Sequence, residues 1–92
     1  MVVSNNDMLP FYKMGDYVFG RWMFHDNIKK AINKDCIIQL ANGNKYFRRL
    51  IQDDKGLFNI ACLNPSGTKY QPVLYNVIIE SVAPIIWHRI SL

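Results

Sequence analysis

"DCIIQLANGNKYFRRLIQDDKGLFNIACL", residues 35–63, decides the fold class. Three runs rich in β-branched and aromatic residues are separated by two short polar stretches. Asn42-Gly43, inside the first, is the dipeptide that a tight hairpin prefers, because both residues tolerate a positive φ. "DDKG", 53–56, ends on a glycine and reads as a second turn. Two hairpins in succession give three antiparallel strands, so the rest of the chain is read around an antiparallel sheet.

Outward from this centre the pattern persists. In "GDYVFGRWMF", 15–24, Tyr17, Phe19 and Arg21 alternate with Val18, Gly20 and Trp22, the period of a half-buried strand. "HDNIKKAIN", 25–33, alone has helical character; Asp26 is placed to cap it, and Ile28, Ala31 and Ile32 share a face for one or two turns. After the turn "NPSGTK", 64–69, "QPVLYNVIIESVAPIIWHRI" closes the sheet, with Pro72 and Pro84 predicted at edges or strand starts. The expected architecture is mainly β: a small antiparallel, partly open β-barrel or folded sheet with at most one short helix. Tyr17, Phe19, Trp22, Phe24, Tyr46, Phe47 and Phe58 are expected mostly to fill its core. Trp22, Met23 and Phe24 must still expose at least one large group, and Ile85, Ile86 and Trp87 cannot all point inwards from one strand.

Ninety-two residues, half of them hydrophobic and a fifth charged, fit one domain and exclude a disordered chain. No apolar run approaches the roughly 18–20 residues of a membrane helix. Asn5, Asn6 and Asp7 occupy the place of a signal peptide's apolar segment, so a cytoplasmic protein is expected. Cys36 and Cys62 form no Cys-x-x-Cys pair and read as buried thiols. His25 and His88 stand apart from each other and from the cysteines, so neither a metal nor another cofactor is expected. The net charge of +4 reads first as a solubilising surface. A direct nucleic-acid-binding barrel would instead use Lys29, Lys30, Lys34, Arg48 and Arg49 for phosphate contacts.

"DMLPFYKMGDYV", 7–18, resembles the Ser-Met-x-Pro-x-x-x-x-Gly-Asp-x-Val motif of the serine–lysine peptidases, the superfamily of LexA-like self-cleaving repressors and signal peptidases. Met8, Pro10, Gly15, Asp16 and Val18 match in type and spacing, with Asp7 at the serine position. "GNKYFRRL" is similar to the strand carrying the general-base lysine, with Arg48 at the lysine position and Arg49 following it. "CLNP", 62–65, and "VAPIIWHRI", 82–90, look like two later blocks in the right order. The resemblance implies a fold of the LexA C-terminal-domain type, spanning Val3 to Ile90. It also implies dimerisation partly through the last strand, making Ile85, Ile86, Trp87, His88, Arg89 and Ile90 interface candidates.

Both dyad positions depart from the family. A neutral lysine, its pKa lowered by burial, takes the serine's proton in these enzymes. Arginine stays protonated throughout the accessible pH range, and a carboxylate lacks the attacking hydroxyl. Lys45 and Ser4 each lie three residues from the needed positions. No enzyme activity is expected. Asp7 and Arg48 are instead expected to form a salt bridge tying the N-terminal loop to the central hairpin, with geometry that permits two parallel hydrogen bonds. The implied function is that of an inactive peptidase-like domain, residues 1–92, from a bacterial or phage-type transcriptional regulator. It would serve as a homodimer or sense a protein or peptide partner, with DNA read only through a helix-turn-helix domain absent from this chain. An active self-cleaving serine peptidase and the direct nucleic-acid binder are the alternatives.

Overall fold

A computed structural model describes residues 1–68 and 71–92. Lys69, the end of the predicted 64–69 turn, lies outside the described residues. Seven strands build one antiparallel sheet: β1 (Tyr17–Gly20), β2 (Met23–Phe24), β3 (Asp35–Leu40), β4 (Lys45–Gln52), β5 (Phe58–Ala61), β6 (Val73–Leu74) and β7 (Ile79–Arg89). The order is β1-β7-β3-β4-β5-β6, with β2 also paired to β7. The sheet is not closed, which is the partly open β fold the sequence predicts. Both hairpins form where the turn chemistry placed them, and Gly43 and Gly56 adopt φ of +93° and +84°. No helix among the described residues is long and apolar enough to cross a membrane.

The long strand β7 organises the sheet. Its first half pairs with β3, from Leu40↔Ile79 to Cys36↔Pro84, and its second half pairs with β1, from Gly20↔Ile85 to Tyr17↔Arg89. Pro84 therefore sits inside an eleven-residue strand rather than at an edge or strand start, which corrects the sequence expectation. Its carbonyl faces Gly20, where an added Cβ would stand 2.3 Å from the oxygen. A residue's N and O point the same way in a strand, so the missing N–H falls in the gap between β2 and β1 and costs no ladder bond. Gly20 is glycine because β1 crosses β7 too closely for a side chain.

Beside this junction Phe19 pairs with Trp87 but Gly20 pairs with Ile85, leaving Ile86 as the extra residue of a bulge. The bulge shifts the alternation by one. Ile85 packs into the core, Ile86 and Trp87 both turn outward, and His88 faces back towards Tyr12. This resolves the apolar crowding at 85–87.

Two cores lie on opposite faces. One gathers Ile28, Ala31, Cys36, Ile38, Leu40, Leu50, Ile60 and Val82 under the 3-10 helix His25–Ala31. The other gathers Val3, Met8, Val18, Ile37, Phe47 and Ala83 under the N-terminal loop. Both are mainly aliphatic, which corrects the expected aromatic filling. Phe47 alone of the seven named aromatics is buried; Tyr46 and Phe58 are half-buried, and Tyr17, Phe19, Trp22 and Phe24 are exposed. Alternation sends those last four to outer faces of β1 and β2. The helical segment departs similarly: Phe24, not Asp26, is the residue before it, and no side chain caps it. Asp26 lies within its first turn. Cys36 and Cys62 are buried free thiols, and burial pushes the Cys36 thiol up to about 12.

Candidate functional site

Arg48 is the largest fully buried side chain, although it carries a permanent charge. Strand β4 makes this possible because Arg48 shares its face with Tyr46 and Leu50, pointing beneath the loop that returns from β5 to β6. There Nη2 donates to Asp7 Oδ2 at 3.3 Å, and Nη1 donates to the carbonyls of Gln71 and Pro72 at 2.8 and 3.4 Å. The expected pair is thus formed, but not with two parallel bonds. Backbone carbonyls occupy the second arm, and Nε has no partner among the described residues. A buried guanidinium left partly unsatisfied is costly unless its remaining contacts hold.

Asp7 is fixed by its backbone as well as its carboxylate. Its carbonyl accepts hydrogen bonds from Leu63 and Asn64, both at 2.9 Å, and its N–H donates to Asn5 Oδ1. The Asn64 amide side chain donates to the carbonyl of Asn6. The "CLNP" segment and the N-terminal motif therefore meet at the same point, with the carbonyl of Pro72 accepting from Cys62 beside them.

The other motif residues serve the second core. Met8 is fully buried within it, while Pro10 is exposed on the loop surface. Gly15 takes a φ of +93° where its N–H reaches Val3, so the Gly-Asp step can turn into β1. Asp16 is buried, accepting bonds from the backbone N–H of Lys13 and Ser91 and from His88 Nε2 at 2.8 Å. The two backbone donors, then His88, hold its carboxyl at about 2. His88 also lies against Tyr12, whose ring meets Phe47 edge-on. Burial, and then the neighbouring Asp35 carboxylate, push the Tyr12 phenol upward. Arg49 pairs with that same Asp35 at 2.9 Å. Sequence reasoning missed this Asp16–His88–Tyr12–Asp35–Arg49 belt. Its members come from both ends and the middle of the chain; Asp16, Arg49 and His88 are each named from the sequence, but nothing there joins them to one another or to Tyr12 and Asp35.

A pocket of about 400 Å³ opens beside Asp7, lined also by Ser4, Asn5, Lys45, Tyr46 and Phe47. Ser4 and Lys45, set aside on spacing, both reach it. Lys45 is exposed, with its ammonium 5.7 Å over the Trp22 ring. It lacks the burial that a general-base lysine needs. The phosphate-contact reading requires correction at Arg48, which is sealed from solvent; Arg49 pairs with Asp35 but keeps 42% of its side chain exposed, and Lys29, Lys30 and Lys34 are exposed.

Of the terminal candidates, Ile86, Trp87, Arg89 and Ile90 are exposed, while Ile85 and His88 are half-buried. No protein-family model matches the chain, and no curated protein or solved structure is significantly similar to it.

Two outcomes follow from the charges. In a denaturant-based double-mutant cycle, Asp7→Ala and Arg48→Ala each cost about 3–5 kcal/mol and are strongly non-additive; additive losses contradict the coupled pair. Asp16 ionises more readily in the folded state than at its ordinary 3.8, so its contribution is present above that pH and is lost as pH falls towards about 2. The Asp16→Asn chain should be less stable at neutral pH and show a flatter acid limb in that window; parallel urea midpoints across the window contradict this assignment.

Proposed function

We propose that this chain is a non-catalytic, LexA-like peptidase domain that serves as the dimerisation module of a bacterial or phage-type cytoplasmic transcriptional regulator. DNA would be read by a domain outside this chain. The observation that carries the reading is the second half of β7, which has β1 on one side and no described strand on the other.

The polarity of that edge supports association. Val18 exchanges backbone hydrogen bonds with Met1, so its N–H and C=O point away from β7. In an antiparallel pair its partner His88 then directs its own N–H and C=O to the opposite edge. Apolar groups flank this edge: Ile86 is 72% exposed, Trp87 50% and Ile90 59%. Phe19 lies against Trp87, and Arg89 stacks on Tyr17, extending the surface across the ribbon. An unpaired strand with so much apolar surface is a template for pairing, and a second copy meeting it antiparallel satisfies both edges.

The absence of catalysis in this reading rests on Asp7 and Arg48. They occupy the positions that the resemblance gives to nucleophile and base, and they neutralise each other there. The pocket beside Asp7 supports a subsidiary role in holding an extended peptide. Ser4 in that pocket keeps hydrolysis testable: a fluorophosphonate probe should leave the chain unlabelled, and labelling of Ser4 overturns the non-catalytic reading.

Sedimentation equilibrium checks the association. The wild-type chain should be a concentration-dependent dimer, and Trp87→Asp, at an exposed position that leaves the core intact, should be monomeric. A wild-type chain that stays monomeric at its highest soluble concentration, or a Trp87→Asp chain that dimerises equally well, contradicts the proposal.

A further inference from the structure

A different face of the sheet, which meets the pocket beside Asp7 only at Lys45, has a composition that dimerisation does not use. Phe24 lies opposite Ser81, Ser81 opposite Gln39, and Gln39 opposite Lys45, one row of partners running across β2, β7, β3 and β4. Residues in such a row point to the same side. Trp22, two residues before Phe24, joins them, and the Lys45 ammonium sits over its ring. Both aromatic rings are open to solvent, Trp22 at 40% and Phe24 at 49% exposure. Next to the row, Arg21, Trp22, Phe24, His25 and Lys30, together with the acid Asp26, line an open cleft of about 520 Å³, large enough for a nucleotide. The left-handed turn at His25, with φ of +54°, bends the chain from β2 into the 3-10 helix that carries Lys30 to the cleft.

Charge is concentrated here too. Arg21 and Lys30 line the cleft against the single acid Asp26, and Lys45 adds a third cation beside the Trp22 ring. Arg48 and Arg49, the other basic pair, are taken up by Asp7 and Asp35.

We propose that this face binds single-stranded nucleic acid, with Trp22 and Phe24 stacking on bases and Arg21, Lys30 and Lys45 holding the backbone phosphates. Aromatic platforms with flanking cations suit an unpaired strand because every base has a π-face to offer, whereas a duplex keeps its bases stacked on each other. An acidic peptide would match the charge but leave two exposed rings without a role. The inference does not depend on the peptidase-like reading.

The test uses the full chain and a fluorescein-labelled oligothymidylate of about twelve nucleotides, followed by anisotropy at low salt. Binding is expected to weaken with salt at a log–log slope of about −2, as three phosphate contacts on a single strand require. Trp22→Ala and Lys30→Glu should each weaken it about tenfold, with Trp22→Phe retaining most of the affinity. Far-UV circular dichroism verifies that each variant is folded. In a Trp87→Phe chain, where Trp22 is the one remaining tryptophan, the oligonucleotide should quench its emission. Absence of binding, unchanged affinity in a folded Trp22→Ala chain, or no quenching overturns the proposal. Equal or tighter binding of an oligoglutamate peptide overturns it as well, by making the face a site for acidic protein.

Discussion

The arrangement of the loops depends on one guanidinium that has been taken out of water. Arg48 projects from the central strand into a space enclosed by three stretches distant in sequence: the N-terminal loop at Asp7, the segment after β5, and the carbonyls at Gln71 and Pro72. Burying that charge is expensive, and only the convergence of these partners compensates for it. Asp7 must stay in place for Arg48 to be tolerated. Its carbonyl in turn holds Leu63 and Asn64, so the charge pair fixes two loops as well as two side chains.

The sheet supplies the frame in which this can happen. β7 changes partners midway, and the change requires a residue without a side chain at Gly20 and one without an N–H at Pro84. Two small cores result, one on each side, and the N-terminal loop closes the second by inserting Met8. The bulge at Ile86 then sends apolar groups outward at the end of the chain. The exposed ribbon and the aromatic row around Trp22 are products of this geometry, lying on different parts of the surface.

Much of this was legible in the residues. Asn42-Gly43 and Gly56 marked the hairpins because few other residues accept those dihedrals, and alternation located β1, β3, β4 and β5. The meeting of Asp7 with Arg48 followed from a resemblance covering two separated motifs. What escaped was set by tertiary context. Pro84 inside a strand makes sense only once β2 and β1 leave a gap beside it. The exposure of Tyr17, Phe19, Trp22 and Phe24 depends on which face of a short strand meets the core, and periodicity alone does not assign that face. The Asp16–His88 contact joins the two ends of the chain, and neither the Gly-Asp motif nor the terminal block carried a signal that the two residues meet.

Native-state hydrogen exchange tests the central role of the charge pair most directly. The Leu63 and Asn64 amides, which donate to the Asp7 carbonyl, should lose protection in an Arg48→Met chain. The Leu50 amide, bonded to Lys34 on the far side of β4, should keep its protection. Unchanged protection at Leu63 and Asn64 would mean that the loops hold themselves, and that Arg48 is a passenger in the fold and not its anchor.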